Sequence, residues 1–441
     1  MSLDAILDLI TEDRLRESTG GKRGLVVASE SDKARVVNSS AFRRMQQKTQ
    51  VFPLEFNAAV RSRLTHSIEV SQIGRYLSQM VLKDSIGLGY EKLTAFTNVV
   101  ETACLLHDIG NPPFGHFGEA AIKDWLKKKY FIKNADGSGG WELNLGGLND
   151  FDGNPQGFRI VTRLQGNDGF GLNLTCTQLL STIKYPCSFG NKGDFKKIGV
   201  FDSEVQIYKE LCLRLKWGEG AQFPFMYLME AADDIAYCLS DLEDGLEKKI
   251  ISQVDLEELL DIVKVDRFSK IGWFVEFKTK VVNQAVAYVA SNYVSLADKI
   301  MNGDKVTLIP KESEVGMILE KVKKITIGKV YRFHEVEEIE LAGYSVITGI
   351  LDSFERLLDL SQDDFLSLLK DDGVKKKGLD VEARLFRRLP KSYIEKYAIF
   401  SEEANERLHR IHLIIDYVCG MTDDFSLRSY QNLKGIRVGD A

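Results

Sequence analysis

This 441-residue chain has six histidines, and three of them lie between positions 66 and 116. His107 is followed directly by Asp108 at the end of an apolar stretch, and His116 lies beyond a turn that contains Pro112 and Pro113. Imidazoles and carboxylates are common metal ligands, and histidine is also a frequent proton donor in catalysis. A single histidine at a helix end is usually only a polar residue with a partner. The cluster in "LLHDIGNPPFGHFGEAA" instead indicates a reactive site.

A pair of carboxylates far along the chain strengthens this interpretation. Asp233 and Asp234 lie within "FMYLMEAADDIAYCL", where nearly every other residue is apolar. A carboxylate inside such a buried helix is costly unless a cation, a metal or a donor network accompanies it. A helix N-cap or a buried salt bridge is the structural alternative. Together with His66, His107 and Asp108, this pair of carboxylates provides a mixed nitrogen and oxygen set. Such a set suits Mn²⁺, Fe²⁺ or Mg²⁺ better than a closed thiolate zinc site.

The order of these residues resembles the H…HD…D pattern of the HD-domain metal-dependent phosphohydrolases, and among them the deoxyguanosinetriphosphate triphosphohydrolases. The resemblance implies that His66, His107, Asp108 and Asp233 bind a metal, with Asp234 behind them or paired to a basic neighbour. It also implies a helical HD core and cleavage of dGTP to deoxyguanosine and inorganic triphosphate. The resemblance rests on five stretches of the sequence: "RRMQQKTQVFPLEFNAAVRSRLTHSIEV", "LLHDIGNPPFGHFGEAAI", "YLMEAADDIAYCLSDLEDGLEK", "VEEIELAGYSVITGIL" and "DYVCGMTDDFSLRSYQ".

Cleavage between the α-phosphorus and the 5′ oxygen produces a poor leaving group, so a general acid is required beside that oxygen. His116 is the candidate acid. Glu119 lies three residues later, on the same face of the helix, where its carboxylate can orient the imidazole. The resemblance assigns the same pair a catalytic role, whereas helix capping is the structural alternative for His116 alone.

A triphosphate requires further donors, and the resemblance implies six substrate-binding positions. Lysine and tyrosine supply donors to phosphate, and a carboxylate accepts from the N1–H and 2-amino group of guanine. A tyrosine ring four residues after Asp233, on the same helical face, can pack on the deoxyribose and exclude a 2′-hydroxyl. The contacts to the phosphates and near the metal are Gln50, Lys184, Tyr185 and Lys197. The sugar contact is Tyr237, and the base contact is Glu340.

The elements that position these residues have helical periodicity, so the fold class is expected to be all-α. Helices are predicted over 63–82, 92–110, 223–248, 339–360 and 403–423. Glycine, asparagine and aspartate dominate 134–173, which is predicted to be a loop or small excursion from the helical core. We expect one elaborated domain over 1–441. Its HD core would occupy about 60–250, and a C-terminal helical part, about 251–441, would contribute to the substrate pocket.

Composition limits the classes of function. The net charge is -6 and the isoelectric point about 5.7, so no global basic field favours nucleic-acid binding. No apolar run approaches the length of a membrane span, and the N-terminus lacks the pattern of a secretory signal. The six cysteines include no CxxC pair, as is typical of a reduced cytoplasmic protein. No membrane partner is therefore expected. The resemblance implies a dNTP substrate and a homo-oligomer.

Two alternatives remain open at this level. The same metal site is compatible with a nucleotidase or phosphodiesterase that acts on a different nucleotide, or with a dNTPase of broad base preference. A protein of another class would use the site only to sense nucleotides or to bind single-stranded nucleic acid. The presence of both His116 and Glu119 disfavours pure binding, because binding requires no acid.

Overall fold

The computed structural model describes residues 2–55, 57–85, 87, 89–133, 138–166, 168–370, 374–400 and 405–436. These residues form twenty α-helices and one antiparallel hairpin, which confirms the all-α prediction. The helices are Ser2–Leu7 (α1), Leu25–Val37 (α2), Ser40–Arg44 (α3), Arg63–Leu82 (α4), Tyr90–Leu106 (α5), Gly115–Tyr130 (α6), Gly153–Arg159 (α7), Cys176–Ser181 (α8), Val205–Leu215 (α9), Pro224–Glu247 (α10), Glu257–Val263 (α11), Trp273–Ser295 (α12), Ala297–Met301 (α13), Glu314–Lys329 (α14), His334–Leu358 (α15), Gln362–Lys370 (α16), Asp380–Phe386 (α17), Lys391–Phe400 (α18), Glu406–Cys419 (α19) and Asp423–Leu433 (α20). The hairpin strands are Phe131–Lys133 (β1) and Gly139–Trp141 (β2).

Three helices, α4, α5 and α10, pack on one another and form the centre of the molecule. Helix α4 begins after Ser62, whose side chain caps the helix in a reciprocal pair with Thr65. Helix α5 is continuously buried from Ala95 to Leu106, and α10 begins with Pro224, a residue favoured in the first turn. Apolar burial of α5 and α10 against each other fixes the frame on which the histidines and Asp233 are carried.

The end of α5 differs from the predicted 92–110 helix. The helix ends at Leu106, and residues 107–110 form a turn. A Cβ atom on Gly110 would lie 2.0 Å from the backbone oxygen of Gly153, so only glycine permits this close approach of the α7 segment. The turn therefore places the end of α5 directly against α7.

The glycine-rich stretch 134–173 is more ordered than a loop prediction implies. Its described residues include β2, helix α7 and a π-helical turn over 160–164. Phe151 and Leu148 are fully buried, and Asp152 caps α7 by accepting from the backbone nitrogen of Asn154. Residues 134–137 and 167 lie outside the described part. The stretch therefore packs on the hydrophobic core, because its few apolar residues are buried there.

The C-terminal helices pack directly on the predicted core. Helix α15 lies against α6, α19 and α20, and α14 lies against α10. These contacts support the proposal that residues 1–441 form one elaborated domain. Within the described residues, no helix combines the length and the apolar composition needed to cross a bilayer.

Candidate active site

A cavity of about 750 Å³ opens where α4, α5, α6, α10, α14 and α15 converge. The cavity brings together every residue that the sequence singled out as a ligand, a catalyst or a substrate contact. These residues come from segments spread over nearly 300 positions, so their convergence depends on the packing of the helices. The predicted site residues that line it are Gln50, His66, His107, Asp108, His116, Glu119, Lys184, Tyr185, Lys197, Asp233, Tyr237 and Glu340.

Three of these residues form a cluster that can hold a metal ion. His66 lies in the first turn of α4, His107 directly follows α5, and Asp233 lies in the middle of α10. One ligand atom from each lies within 4.8 Å of the other two. The Nε2 atoms of His66 and His107 lie 3.4 and 3.5 Å from the same Oδ1 of Asp233.

Contacts of the Nδ1 atoms of His107 and His66 explain why the Nε2 atoms of both rings face the cluster. Nδ1 of His107 lies 2.7 Å from the carbonyl oxygen of Cys104, which can only accept, so this Nδ1 carries the hydrogen. Nδ1 of His66 lies 3.5 Å from Ser240 Oγ, whose own hydroxyl donates to a backbone carbonyl in α10. Both Nε2 atoms face the Asp233 carboxylate, so two imidazole nitrogens and a carboxylate oxygen point to one place. The donor set therefore fits a divalent metal.

Asp108 has a different environment from the other predicted ligands. Its Oδ2 accepts from Arg63 Nη1 at 2.6 Å, its Oδ1 accepts from Asn111 Nδ2 at 2.6 Å, and His107 Nε2 lies 3.6 Å from Oδ2. Burial would raise the pKa of Asp108, but the Arg63 guanidinium and the neighbouring histidines hold that pKa far below its ordinary value. Asp108 is thus a fixed anion at the edge of the cluster. Its role as a ligand stays a prediction.

Asp233 is also held as an anion. Burial opposes its ionisation, but His107, His66 and Lys184 outweigh that effect and lower the pKa of Asp233 to about 2. An ionised carboxylate between two imidazoles is the state that metal binding requires.

His116 and Glu119 form the hydrogen-bonded pair that their spacing predicts. Nδ1 of His116 lies 3.0 Å from Glu119 Oε2, and Glu119 Oε1 accepts from the backbone nitrogen of Gly153 at 2.8 Å. The Glu119 side chain is 5% exposed, whereas that of His116 is 83% exposed at the mouth of the cavity. A buried, fixed carboxylate thus orients an imidazole whose other nitrogen is left for chemistry.

The turn that delivers His116 is conformationally unusual. Phe114 has a φ of 58°, in the left-handed region that non-glycine residues seldom adopt, and Gly115 follows at 55°. The Phe114 ring is buried against α15, where a Cβ atom on Gly343 would lie 2.4 Å from its Cγ. Packing therefore holds the start of α6 in this conformation.

The two lysines among the predicted phosphate contacts are each paired with a carboxylate. Lys184 Nζ lies 3.3 Å from Glu230 Oε1, and Lys197 Nζ lies 2.5 Å from Asp152 Oδ2. Burial alone would lower the pKa of both lysines, but their carboxylate partners raise it. Both side chains are therefore charged and held in place within the cavity wall.

Two further cavity residues are Lys323, which lies within 250–330, where the sequence has no recognisable motif, and Tyr331, which directly follows that stretch. Lys323 Nζ, from α14, lies 3.1 Å from Asp234 Oδ1, so Asp234 is paired to a basic neighbour as expected. The hydroxyl oxygens of Tyr331 and Tyr237 lie 2.7 Å apart. Burial raises the pKa of Tyr237 to about 12, which keeps its hydroxyl protonated. No local signal distinguishes Lys323 from the other lysines of "EKVKKITIGK".

Gln50 and Glu340 occupy other parts of the cavity wall. Among the described residues, the buried Oε1 of Gln50 has no hydrogen-bond partner, so it is available to a ligand. Burial raises the pKa of Glu340, and the nearby His116 opposes that shift. Glu340 is therefore close to the predicted acid and on a different helix.

Comparison with known proteins agrees with this geometry. The HD domain family matches residues 63–137, which include His66, His107, His116 and Glu119. The chain is 36% identical to proteins named deoxyguanosinetriphosphate triphosphohydrolase from Yersinia enterocolitica serotype O:8 / biotype 1B and Yersinia pestis strain Pestoides F, over 92% of this chain and 93% of each relative. A protein of the same name from Cronobacter sakazakii strain ATCC BAA-894 is also 36% identical, over 92% of this chain and 94% of the relative.

A helical core that carries an HD pair places the chain in the class of HD-domain phosphohydrolases. The identity over nearly the full length is more specific. The chain belongs to the deoxyguanosinetriphosphate triphosphohydrolase family, which confirms the resemblance recognised in the sequence.

Proposed function

We propose that this protein catalyses the metal-dependent hydrolysis of dGTP to deoxyguanosine and inorganic triphosphate. The observation that carries the proposal is the joint presence, in one cavity, of the His66, His107 and Asp233 cluster and the His116–Glu119 pair. The printed names of relatives that align over nearly the whole chain support the same activity.

The metal would be held by Asp233, His66 and His107 and, according to the family pattern, by Asp108. Two nitrogen and two oxygen donors favour Mn²⁺, Fe²⁺ or Mg²⁺. When bound, such an ion supplies Lewis-acid polarisation of the phosphate and partial neutralisation of its charge. Arg63 helps to keep Asp108 ionised by donating to Oδ2, the oxygen that also lies nearest to His107 Nε2.

The triphosphate would be bound by the cationic wall. Lys184, Tyr185 and Lys197 are the proposed donors, and Lys323 is a further cation on the same cavity. Each of these lysines already has a carboxylate partner, so its position is fixed before substrate arrives. Preorganised donors reduce the reorganisation that binding requires. Gln50, whose buried amide oxygen has no partner among the described residues, is a proposed substrate contact near the metal.

His116 is the proposed general acid for the departing 5′ oxygen. Because Nδ1 donates to Glu119, the proton that is transferred must reside on Nε2. The Glu119 carboxylate stabilises the protonated ring and holds its direction, since Glu119 is itself fixed by the Gly153 nitrogen. The reaction breaks the bond from the α-phosphorus to the 5′ oxygen, and water supplies the new oxygen on the triphosphate.

Selection of the nucleoside is assigned to two residues. Tyr237 lies one turn after Asp233 on α10, so its ring is proposed to pack on the deoxyribose at the position of a 2′-hydroxyl. Glu340 is proposed to accept from the N1–H and 2-amino group of guanine, which no other common base offers together. Preference for dGTP over other dNTPs rests on this carboxylate.

The test is one set of incubations with Mn²⁺ and each of the four dNTPs and GTP, with products separated by ion-exchange chromatography. We expect inorganic triphosphate and deoxyguanosine, with dGTP turned over fastest and GTP scarcely used. Orthophosphate or a nucleoside monophosphate as the product would refute the proposed reaction and favour a nucleotidase or phosphodiesterase.

Compartment and assembly complete the proposal. All six cysteines are free and buried, which supports function in a reducing compartment such as the cytoplasm. Assembly into a homo-oligomer stays a prediction from the family, and size-exclusion chromatography with light scattering tests it directly.

A further inference from the structure

Asp423 has a set of contacts that the proposed function does not use. It lies in the first turn of α20, in the "GMTDDF" motif, and its side chain is buried. Its Oδ1 accepts from the backbone nitrogen of Phe114 at 3.0 Å. Its Oδ2 accepts from the backbone nitrogen of Thr49 at 2.8 Å and from the Thr49 hydroxyl. One carboxylate thus joins segments that are more than 300 residues distant from it in sequence.

The helix that carries Asp423 does not need this carboxylate. Thr422 caps α20, since its hydroxyl accepts from the backbone nitrogen of Phe425. The adjacent Asp424 is exposed and pairs with Arg428 one turn later, an ordinary surface contact. Asp423 is therefore distinguished from its neighbours by contacts with other parts of the chain.

Both segments that Asp423 holds lead directly into the active site. Phe114 is the left-handed residue of the turn that delivers His116. Thr49 precedes Gln50 and pairs with Ser62 at the start of α4, the helix of His66.

A buried lysine reinforces the same connection. Nζ of Lys48 donates to the carbonyl oxygens of Asn111 and Cys419, at 2.6 Å each. Asn111 lies in the turn before Phe114, and Cys419 ends α19, directly before the Asp423 motif. The turn, the Gln50 segment and the junction of α19 with α20 are consequently linked by two buried side chains, those of Asp423 and Lys48.

We propose that Asp423 is a positioning residue that fixes the turn of His116 relative to the segment of Gln50. The inference rests on the proposed role of His116 as the acid. The Phe114 nitrogen lies at the start of α6 and has no carbonyl of a preceding helical turn to bind. The Asp423 carboxylate supplies that acceptor, and it opposes relaxation of the left-handed turn. A displacement of about 1 Å at a reacting group can cost on the order of a hundredfold in rate.

The test is a double-mutant cycle on kcat between Asp423 and His116. Asp423→Asn keeps the shape of the side chain but loses acceptor capacity toward Thr49. We expect it to lower kcat by about tenfold to a hundredfold while the bound metal is retained. In the His116→Ala background the same substitution should change kcat by less than about twofold, because there is no longer an acid to position. The matched control, Asp424→Asn, should leave kcat unchanged in both backgrounds.

Equal losses from Asp423→Asn in both backgrounds would overturn the inference, because they would indicate a general structural role. No loss in the wild-type background would overturn it as well. If Asp423→Asn fails to fold, Thr49→Val removes only the hydroxyl that binds Asp423, and its smaller loss of kcat should likewise vanish in the His116→Ala background. An unchanged kcat in His116→Ala itself would instead show that the proposed acid is wrong, which is a separate failure.

Discussion

The pair formed by His116 and Glu119 yields a quantitative prediction. His116→Ala removes the proposed proton donor and should lower kcat by roughly two to four decades, the usual contribution of a positioned acid. It should retain the metal, because His116 is outside the His66, His107 and Asp233 cluster. Substrate binding should also persist, since the cationic wall is intact.

Glu119→Gln should cost less, and the structure sets the size of the loss. The amide oxygen can still accept from the Gly153 nitrogen, so the fold is preserved, but the charge-assisted bond to His116 is lost. A hydrogen bond to a charged group contributes about 1.5–3 kcal/mol. At about 1.4 kcal/mol for each factor of ten, this is about a tenfold to a hundredfold loss of kcat. The lower end is expected, because the 83% exposed imidazole is screened by water.

The assay is the initial rate of triphosphate release at saturating dGTP, with metal content measured on each variant. The double variant should be scarcely slower than His116→Ala alone, since Glu119 acts only through the imidazole. His334→Ala, at an exposed histidine of α15 that pairs with Glu338, is the matched control and should behave as wild type. If Glu119→Gln were slower than His116→Ala, or if the two losses multiplied, the assignment of acid and orienting base would be refuted.

Three further predictions concern other parts of the molecule. His107→Ala or Asp233→Ala should abolish bound manganese and nearly all hydrolysis while circular dichroism stays helical; undiminished metal in both would contradict the cluster. Lys184→Ala and Lys197→Ala should raise KM more than they lower kcat, because they bind ground and transition states alike; an unchanged KM would make them ordinary surface lysines. Burial holds the pKa of His412 well below its usual 6.5, so below about pH 6.5 the unfolded chain binds a proton that the folded chain does not. The free energy of unfolding should therefore fall as pH drops from 7.5 to 5.5, and urea midpoints should show a smaller fall in His412→Gln; an equal fall would contradict the assignment.

Neighbouring residues provide controls for these variants. Lys196→Ala changes an exposed lysine next to Lys197 that does not line the cavity, so its KM should equal that of wild type. His334→Gln changes an exposed histidine and should leave the pH dependence of stability unaltered.

The sequence predicts elements well where local signals coincide. The predicted helix 63–82 has the observed bounds of α4, because Ser62 and Thr65 form a capping pair directly before an apolar stripe. The end of α5 was predicted four residues too late, since the turn at 107–110 is set by the close approach of Gly110 to Gly153. That approach depends on tertiary packing and leaves no periodic signal.

In the candidate site, too, local sequence signals predicted some residues, and tertiary packing alone determines others. The metal cluster and the His116–Glu119 pair were predictable, because their residue types are rare in such apolar surroundings or lie one helical turn apart. Lys323 was not, because an α14 lysine reaches Asp234 only after two distant helices have packed. The pairing of Asp152 with Lys197 was not predicted either, because Asp152 lies within a glycine-rich stretch that resembles a loop.

Hydrolysis of dGTP in H₂¹⁸O with the metal-loaded protein tests the central claim most directly. Attack at the α-phosphorus, with His116 protonating the departing 5′ oxygen, places one ¹⁸O atom in the inorganic triphosphate and none in deoxyguanosine. Mass spectrometry of both products after a single turnover reads this out. Label in the nucleoside hydroxyl, or formation of dGMP and pyrophosphate, would contradict the account.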